Sequence, residues 1–258
     1  MGNYPLAELY HFDAKQNVEL LVSWIKDYFK ASPKAKAVIG ISGGKDSTVA
    51  AALCVKALGV DRVIGVRMPQ DVQHDIDIAR DVCEYLGIES YEINIGQTYR
   101  QLTSEFPYEL IGKNGNSVYR NNTPARIRMT VLYGVAALVG GRVVETCNLS
   151  ENYVGYSTKF GDAAGDFSPL GGCTATEVVK MGLAMGLPEF FVLKTPEDGL
   201  SGLTDEDNLG FSYQELDEYI RKRISPEPDV LRKIDELYTR SRHKNCLTIP
   251  CFDPVIYH

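Results

Sequence analysis

The sequence predicts an α/β protein with a doubly wound parallel sheet and flanking helices. Two observations carry this prediction. Short apolar runs typical of buried strands alternate with amphipathic segments of about 12 residues, as in repeated βαβ units. The first of these runs also leads into a glycine-rich turn and a helix, the arrangement found at the ligand sites of open α/β sheets. Parallel strands joined by right-handed crossovers follow from this alternation.

The N-terminal half shows the alternation most clearly. Apolar residues at three- and four-residue spacing predict an opening helix that stops before Pro33, and these are Val18, Leu21, Val22, Ile25, Tyr28 and Phe29. A buried strand over 37–41 follows, and then a helix over 46–58 with Gly59 as its C-terminal cap. The pattern next predicts a strand over 62–67, a helix over 75–86 that ends at Gly87, and a strand over 90–95.

The segment 118–141 differs from the others because it is apolar on nearly every face. Thr123 is a suitable N-cap and Pro124 suits the first helical position, while Gly140 and Gly141 suit the end. A helix with so little polar surface has to be buried on most sides. This predicts a central helix or one shared with a second subunit, and core packing alone explains the pattern equally well.

The C-terminal half contains fewer strand signals. It predicts a strand over 142–146, a long loop over 156–172 rich in glycine, aspartate and serine, and a helix over 174–187. The polar stretch 194–207 is typical of a mobile flap. Helices over 212–222 and 227–243 complete the pattern. We find no internal repeat, so we expect one domain over residues 1–258.

Composition excludes several classes of protein. The chain has 258 residues and a net charge of −7 without a clustered block of Lys or Arg, which argues against nucleic-acid binding. Its apolar runs are all shorter than the roughly 20 residues that span a bilayer, so we expect no membrane association. Residues 1–12 lack a signal-peptide pattern, and six scattered cysteines favour a reducing cytoplasm.

Four Cys and His residues near the C-terminus are of zinc-ligand type: His243, Cys246, Cys251 and His258. They lack the C-x-x-C spacing of a zinc knuckle. Ordinary buried thiols are therefore the favoured interpretation.

The run Ser42-Gly-Gly-Lys-Asp-Ser47 is the strongest functional signal in the chain. Adjacent glycines let backbone N–H groups converge on a phosphate, and the start of a helix favours negative charge there. Lys45 adds a positive charge, the two serines add hydroxyl donors, and Asp46 can hold a magnesium ion. The spacing is not that of a Walker A loop. The run resembles the S-G-G-x-D-S loop of the ATP pyrophosphatases, which split ATP into AMP and pyrophosphate and have an adenine nucleotide alpha hydrolase-like, Rossmann-like fold.

Further stretches resemble one family within that group, the ammonia-dependent NAD⁺ synthetases. Asn122-Thr-Pro-Ala-Arg-Ile-Arg-Met129 resembles their N-x-x-x-R-x-R-M helix start, and Thr158-Lys-Phe-Gly-Asp162 resembles their T-K-[YF]-G-D loop. The stretch 194–213 resembles their flexible loop and following helix, and His243-Lys244 also matches. The resemblance covers residues 12–253. Arg126 and Arg128 lie about 200° apart around a helix, so we expect them to make different contacts.

The resemblance implies a ligase that makes NAD⁺ from deamido-NAD⁺ and ammonia through an acyl-adenylate, releasing AMP and pyrophosphate. It implies that Lys45, Asp46 and Ser47 are catalytic and that Asp46 and Glu151 bind Mg²⁺. The implied ATP-binding residues are Gly40, Ser42, Gly43, Gly44, Ser47, Arg67, Gln73, Arg128 and Thr146. The implied deamido-NAD⁺-binding residues are Asn122, Arg126, Lys159, Asp162, His243 and Lys244. The implied assembly is a homodimer joined through the helix 123–139, with small molecules as its other partners.

One position departs from the family pattern. The family often carries a basic residue at the start of the helix that follows the long loop 156–172, where this chain has Ala175. Neutralisation of phosphate charge would then depend on Lys45, Lys194 or Lys244. No N-terminal cysteine nucleophile or amidase domain is evident, which favours free ammonia or ammonia from a partner. Two alternatives remain: another synthetase or amidotransferase with the same loop, and a non-catalytic module that binds ATP or AMP.

Overall fold

The protein is built around a parallel sheet of four strands, seen in a computed structural model that describes residues 11–72, 76–111, 117–193 and 204–244 together with Phe252 and Pro254. The strands are β1 (Lys36–Gly40), β2 (Val63–Arg67), β3 (Glu89–Glu92) and β4 (Gly141–Val143). Their order across the sheet is β3-β2-β1-β4, with parallel pairing throughout. The predicted doubly wound α/β fold is confirmed.

The strand order reverses at β1. The next two strands lie on one side of it, whereas β4 lies on the other side. At such a reversal the connections diverge and leave a crevice at the carboxyl ends of the strands, where ligands of open α/β sheets bind. The glycine-rich loop follows β1 and the segment containing Glu151 follows β4, so the topology brings these two distant parts of the sequence to the same crevice.

Helices cover both faces of the sheet. On one face lie α1 (Ala14–Tyr28), α2 (Lys45–Leu58), α3 (Ile76–Leu86) and α8 (Ala175–Ala184), and on the other lie α4 (Gly96–Ser104) and α6 (Ser117–Val139). The alternation of β1 produces this division, because Ala37 and Ile39 pack on the first face and Val38 on the second. All three residues are fully buried.

The remaining helices lie mainly in the C-terminal part. They are α5 (Tyr108–Ile111), α7 (Leu149–Val154), α9 (Glu189–Val192), α10 (Asp205–Leu209), α11 (Tyr213–Lys222) and α12 (Pro228–Ser241). A separate apolar cluster joins α7, α8, α10, α11 and α12 around Leu216 and Ile234, both fully buried. Within the described residues no helix is both long enough and apolar enough to cross a membrane.

The helix α6 differs from the prediction in two respects. It begins at Ser117, so Thr123 is not its N-cap and Pro124 lies inside it. Tyr119 in its first turn packs edge-on against Phe106 at 5.7 Å, and this tertiary contact accompanies the earlier start. The expected burial on nearly every side is also wrong for the single chain, because Leu138 is 88% exposed.

Two strands are shorter than predicted. The strand β3 ends at Glu92 rather than at Ile95, and its mostly exposed side chains fit an edge position. The strand β4 ends at Val143, because Val144 pairs with Phe167 only as an isolated bridge. The predicted residues Gln73, Lys194, Cys246, Cys251 and His258 lie outside the described residues.

Candidate active site

The glycine-rich loop after β1 is held in shape by its own serines. Ser47 Oγ donates to Gly44 O (3.1 Å) and accepts from Ser42 N (3.3 Å), while Gly44 N donates to Ser42 Oγ (3.2 Å). Gly43 has a φ of +82°, and a Cβ on it would lie 3.2 Å from Ala79 N, so this position requires glycine. Gly44 is the N-cap of α2 and has no side chain to cap it. The first amides of α2 therefore keep the donors that bind an anion.

Two carboxylates meet beside this loop, and Asn148 links them. Asn148 Nδ2 donates to Asp46 Oδ1, Asn148 Oδ1 accepts from Glu151 N, and Asn148 N donates to Glu151 Oε2, each at 3.0 Å. The last two bonds form the capping box that starts α7. Burial and the negative charge of Asp46 raise the pKa of Glu151 well above its usual range. The pair of carboxylates therefore favours a nearby cation.

This carboxylate pair fits a magnesium ion. Magnesium in nucleotide sites is typically held by one or two carboxylates together with phosphate oxygens and water. Within the described ranges, no three or more Cys, His, Asp or Glu side chains are grouped to hold a metal ion by themselves. Asp46 and Glu151 would therefore supply the protein ligands, and the nucleotide and water would supply the others.

Tyr213 and Asp205 lie near the glycine-rich loop after β1, here called the phosphate loop (residues 42–47), and neither was assigned from the sequence. Lys45 Nζ lies 2.8 Å from Asp46 Oδ2 and 5.4 Å from the centroid of the Tyr213 ring. Tyr213 OH in turn donates to Asp205 Oδ2 (3.4 Å). Asp205 begins α10 and Tyr213 begins α11, so the C-terminal helices reach the phosphate loop. The resemblance covers both positions, but no local motif marks either one as part of the site.

The arginines predicted for ATP are Arg67 on β2 and Arg128 on α6. Arg67 is the last residue of that strand, and its Nη1 lies 2.7 Å from Glu92 Oε2. Its buried Nε has no hydrogen-bond partner in the described part of the chain. Arg128 Nε donates to Met68 O (2.9 Å), and burial lowers the pKa of Arg128. Both guanidinium groups are therefore fixed near the carboxyl end of the sheet.

The other residues predicted for ATP lie at the same edge of the sheet. Gly40 closes β1, and a Cβ on it would lie 3.1 Å from Met68 Cε. Thr146 is partly buried and lies three residues beyond the end of β4, not on the strand as predicted. Its position after the carboxyl end of a strand agrees with the expectation for a ligand site.

The residues predicted for the second substrate converge on the loop 155–162. Thr158 Oγ1 donates to Asn122 Oδ1 (3.0 Å), and Thr158 N donates to Asp162 Oδ1 (2.9 Å). Arg126 Nε donates to Lys159 O (3.2 Å). Arg126 thus contacts this loop while Arg128 contacts the end of β2, which confirms that the two arginines make different contacts.

Two of these predicted residues bind backbone carbonyls. Lys159 Nζ donates to His243 O (2.5 Å), and Lys244 Nζ donates to Gly155 O and to Ser157 O, both at 2.8 Å. Burial lowers the pKa of Lys244. These bonds attach the segment after α12 to the loop 155–162. In this conformation both ammonium groups donate to backbone carbonyl oxygens of the protein.

Ala175, where the chain departs from the family pattern, begins α8. The first backbone N–H groups of this helix already donate hydrogen bonds to side chains of the protein. Ser150 Oγ accepts from Ala175 N (3.0 Å), and Asp217 Oδ2 accepts from Thr176 N (2.8 Å). Ser150 Oγ also donates to Asp217 Oδ1. A carboxylate therefore already occupies the amides that would bind an anion at this helix start. An anion in the crevice would therefore depend on other groups, such as Lys45, which belongs to the glycine-rich loop after β1.

A further buried carboxyl group lies after β4 and was not recognised in the sequence. Glu145 is 3% exposed, accepts from Cys147 N (2.7 Å), and accepts from Ser168 Oγ. Burial raises its pKa to about 7. A Cβ on Gly165 would lie 2.6 Å from Glu145 Cβ, so glycine at 165 makes the room. Glu145 thereby fixes the turn that carries Cys147, whose Sγ donates to Asp162 O (3.5 Å).

Comparison with known proteins gives matches over nearly the whole chain. The family model for NAD synthase matches residues 17–248. The NH(3)-dependent NAD(+) synthetase of Pyrococcus furiosus is 36% identical over 255 residues, which cover 93% of this chain and 97% of that protein. The structure of NMN synthetase from Francisella tularensis has a TM-score of 0.82 and 35% identity, covering 93% of this chain and 98% of that one. The NH3-dependent NAD synthetase from Campylobacter jejuni has a TM-score of 0.74 and 27% identity, covering 92% and 98%.

Proposed function

This chain belongs to the NAD synthase family, and we propose that it catalyses the ATP-dependent amidation of deamido-NAD⁺ with ammonia. In the first step a nicotinate carboxylate oxygen attacks the α-phosphorus of ATP, and pyrophosphate leaves with the electrons of the broken P–O bond. In the second step ammonia attacks the carbonyl carbon of the acyl-adenylate, loses a proton, and displaces AMP. The products are NAD⁺, AMP and pyrophosphate.

One observation in the structure carries this proposal. Asp46, from the phosphate loop, and Glu151, which follows β4, are joined through Asn148 at the point where the strand order reverses. The loop offers donors for an anion, and the carboxylates offer ligands for the cation that accompanies it. This combination is suited to binding a nucleoside triphosphate and to stabilising pyrophosphate as it leaves.

The roles of the residues follow from their places in the crevice. Backbone N–H groups of the loop bind the phosphates, and Ser42 and Ser47 keep the loop in its shape. Asp46 and Glu151 would hold Mg²⁺, which neutralises phosphate charge when bound. Gly40, Arg67, Arg128 and Thr146 lie where the nucleoside part of ATP would extend along the sheet edge. The protein acts mainly by positioning the reactants and by meeting their charge.

The second substrate would bind at the loop 155–162 and the adjacent part of α6. Lys159 and Asp162 belong to that loop, and Asn122, Arg126 and Lys244 contact it from outside. His243 is attached to it through its carbonyl oxygen. Binding of an anionic substrate there would exchange the carbonyl partners of Lys159 or Lys244 for carboxylate or phosphate oxygens. A homodimer through α6 would cover the apolar side of that helix that the single chain leaves exposed at Leu138.

A second candidate function differs only in the acceptor. The similarity to NMN synthetase, at a TM-score of 0.82 and 35% identity, exceeds that to the Campylobacter NAD synthetase, at 0.74 and 27%. An enzyme of that kind would amidate nicotinate mononucleotide and yield NMN by the same two steps. The ATP site and the carboxylate pair would serve both reactions, so the two functions differ in the length of the second-substrate site.

The test compares the two acceptors directly. The protein is incubated with ATP, Mg²⁺ and ammonium, and either deamido-NAD⁺ or nicotinate mononucleotide, and all nucleotides are separated by chromatography. We expect NAD⁺ and AMP in equal amounts, with a higher kcat/KM for deamido-NAD⁺. A higher kcat/KM for the mononucleotide would establish the second candidate. ATP binding without AMP formation from either acceptor would contradict both and favour a non-catalytic binding module.

The matched control for this test is Asp46→Asn. This variant keeps the shape of the side chain but removes one negative charge from the carboxylate pair. We expect AMP formation to fall about a hundredfold or more, since the stabilisation supplied by a bound metal is worth several kcal/mol. Unchanged turnover would remove Asp46 from the site.

A further inference from the structure

We propose that Lys45 is a stand-in for the metal ion: it neutralises Asp46 and Glu151 while no metal is bound, and it is displaced from Asp46 toward the phosphates when a divalent cation binds. The inference rests on the proposed ligation of the metal by Asp46 and Glu151. Lys45 and the metal should therefore oppose each other's binding at Asp46, which a lysine that only binds phosphate would not do.

The position of Lys45 is costly unless its charge is compensated. It is the first residue of α2, where the helix dipole disfavours a cation, and it is 6% exposed. Three carboxylates offset this cost: Asp46 at 2.8 Å, together with Glu151 and Asp205, whose charges act on it through space. The ring of Tyr213 adds a cation–π contact at 5.4 Å.

The hydrogen bonds of Asp46 show why a metal ion and Lys45 compete. Asp46 Oδ1 accepts from Asn148 Nδ2, and Asp46 Oδ2 lies 2.8 Å from Lys45 Nζ. Both carboxylate oxygens are thus engaged by donors of the protein. A metal ion bound through Oδ2 would lie close to the Lys45 ammonium group, and a divalent cation a few ångströms from an ammonium group is repelled by it.

Lys45 is the donor that can leave. Asn148 is fully buried, and its side chain also caps α7, so its removal from Asp46 would break the helix start. The lysine has a flexible stem and makes no other hydrogen bond to the residues that the structure describes. Since Lys45 follows Gly44 directly, an ammonium group released from Asp46 remains tethered to the loop that would bind the phosphates. One residue would then serve the empty site and the loaded site in turn.

The test measures metal binding without nucleotide. Mn²⁺ is titrated into the full chain in the absence of ATP, and free Mn²⁺ is followed by electron paramagnetic resonance. We expect the affinity of Lys45→Met for Mn²⁺ to be at least about tenfold higher than that of the wild type, because a competing positive charge is removed. Lys45→Arg should stay near the wild type, and Lys45→Gln provides a second neutral variant if Lys45→Met does not fold.

The matched control is Lys56→Met. Lys56 is exposed and lies in the last turn of the same helix, and its replacement by Met changes the net charge by the same amount as Lys45→Met. At about 1.5 Å per residue it is roughly 16 Å from Lys45, so its removal should leave Mn²⁺ affinity unchanged. An equal gain in Lys56→Met, or no gain in either neutral variant at 45, would overturn the inference.

A second measurement covers the loaded state. At saturating Mn²⁺, pyrophosphate should bind about tenfold more weakly to Lys45→Met than to the wild type, while Lys56→Met should bind it normally. Tighter Mn²⁺ binding with unchanged pyrophosphate affinity would overturn the transfer of Lys45 to the phosphates. If AMP and NAD⁺ form normally but Mn²⁺ affinity does not respond to Lys45, only this inference fails. If no acceptor yields AMP while Mn²⁺ affinity responds as expected, the proposed reaction fails and the role of Lys45 stands.

Discussion

Asn148 connects the two halves of the candidate site through a single side chain. Its bonds to Glu151 follow an N-x-x-E pattern at the start of a helix, which is a recognisable capping box in the sequence. Its bond to Asp46 joins residues 102 positions apart and leaves no local signal. At the scale of single residues, the sequence thus allows the cap to be predicted but not the link between the carboxylates.

Variants of Asn148 can separate these two roles. We expect Asn148→Ala to lower the free energy of unfolding by about 1 kcal/mol, because α7 loses its N-cap. Asn148→Ser should keep most of that stability, since serine also caps helices, but it lacks the amide donor to Asp46. Both variants should need more Mg²⁺ for half-maximal AMP formation, and only the alanine variant should unfold at a lower urea concentration. Equal Mg²⁺ requirements in Asn148→Ser and the wild type would contradict a positioning role for the bond to Asp46.

Glu145 should make stability depend on pH. Its pKa rises from 4.5 in the unfolded chain to about 7 in the fold because of burial. Between these values the folded state holds a proton that the unfolded state has lost, so stability should fall as pH increases from about 4.5 to 7, by up to about 3 kcal/mol. Glu145→Gln keeps the shape and removes the titration. Urea denaturation at pH 5 and pH 8 should therefore show a smaller loss in the variant than in the wild type, and equal losses would contradict the buried proton.

At the scale of elements, helix and strand types were predictable while their ends depended on tertiary contacts. The helices α2, α8 and α11 start within one residue of the prediction, because glycine, threonine and serine mark their N-caps locally. The predicted start of α6 was wrong, since the helix begins at Ser117 and contains Pro124, and Tyr119 in the added turns packs on Phe106. The hydrogen bond from Thr176 N at the start of α8 to Asp217 could likewise not be predicted from the sequence, because it depends on where α11 packs.

The head of α8 also carries a buried ion pair that should dominate its stability. Glu177 is fully buried, and Arg221 binds both of its carboxylate oxygens, at 2.9 and 2.8 Å. Removal of one partner leaves a buried charge without its counter-ion, so we expect Arg221→Ala to lower the free energy of unfolding by about 3 kcal/mol. Arg232→Ala removes an exposed pair with Asp229 and should change it by less than about 0.5 kcal/mol. Chemical denaturation of both variants checks this, and equal small effects would contradict a dominant role for the pair.

At the scale of the whole molecule, the alternation of strands and helices was enough to predict the sheet and the place of the phosphate loop. The reversal of strand order was not readable from the sequence, because nothing local states that β4 pairs with β1 on the side away from β2. That pairing is what brings Glu151 to Asp46. The sequence therefore predicted Asp46 from the loop itself and Glu151 only through the family resemblance, and the fold supplies the physical reason why they meet.

The exposed side of α6 leads to a prediction about assembly. Leu138 is 88% exposed and Tyr133 is 40% exposed on a helix whose other side is buried against β1 and β4. In a twofold dimer the same patch of both chains would meet, so a charge placed there would face its own copy. We expect Leu138→Lys to convert a dimer to a monomer in sedimentation equilibrium without loss of monomer stability, since the side chain is exposed in the single chain and a lysine suits the last turn of a helix. Phe190→Lys, at a residue 63% exposed on α9, is the matched control and should remain dimeric. A monomeric wild type, or a Leu138→Lys variant that stays dimeric, would show that α6 does not form the subunit interface.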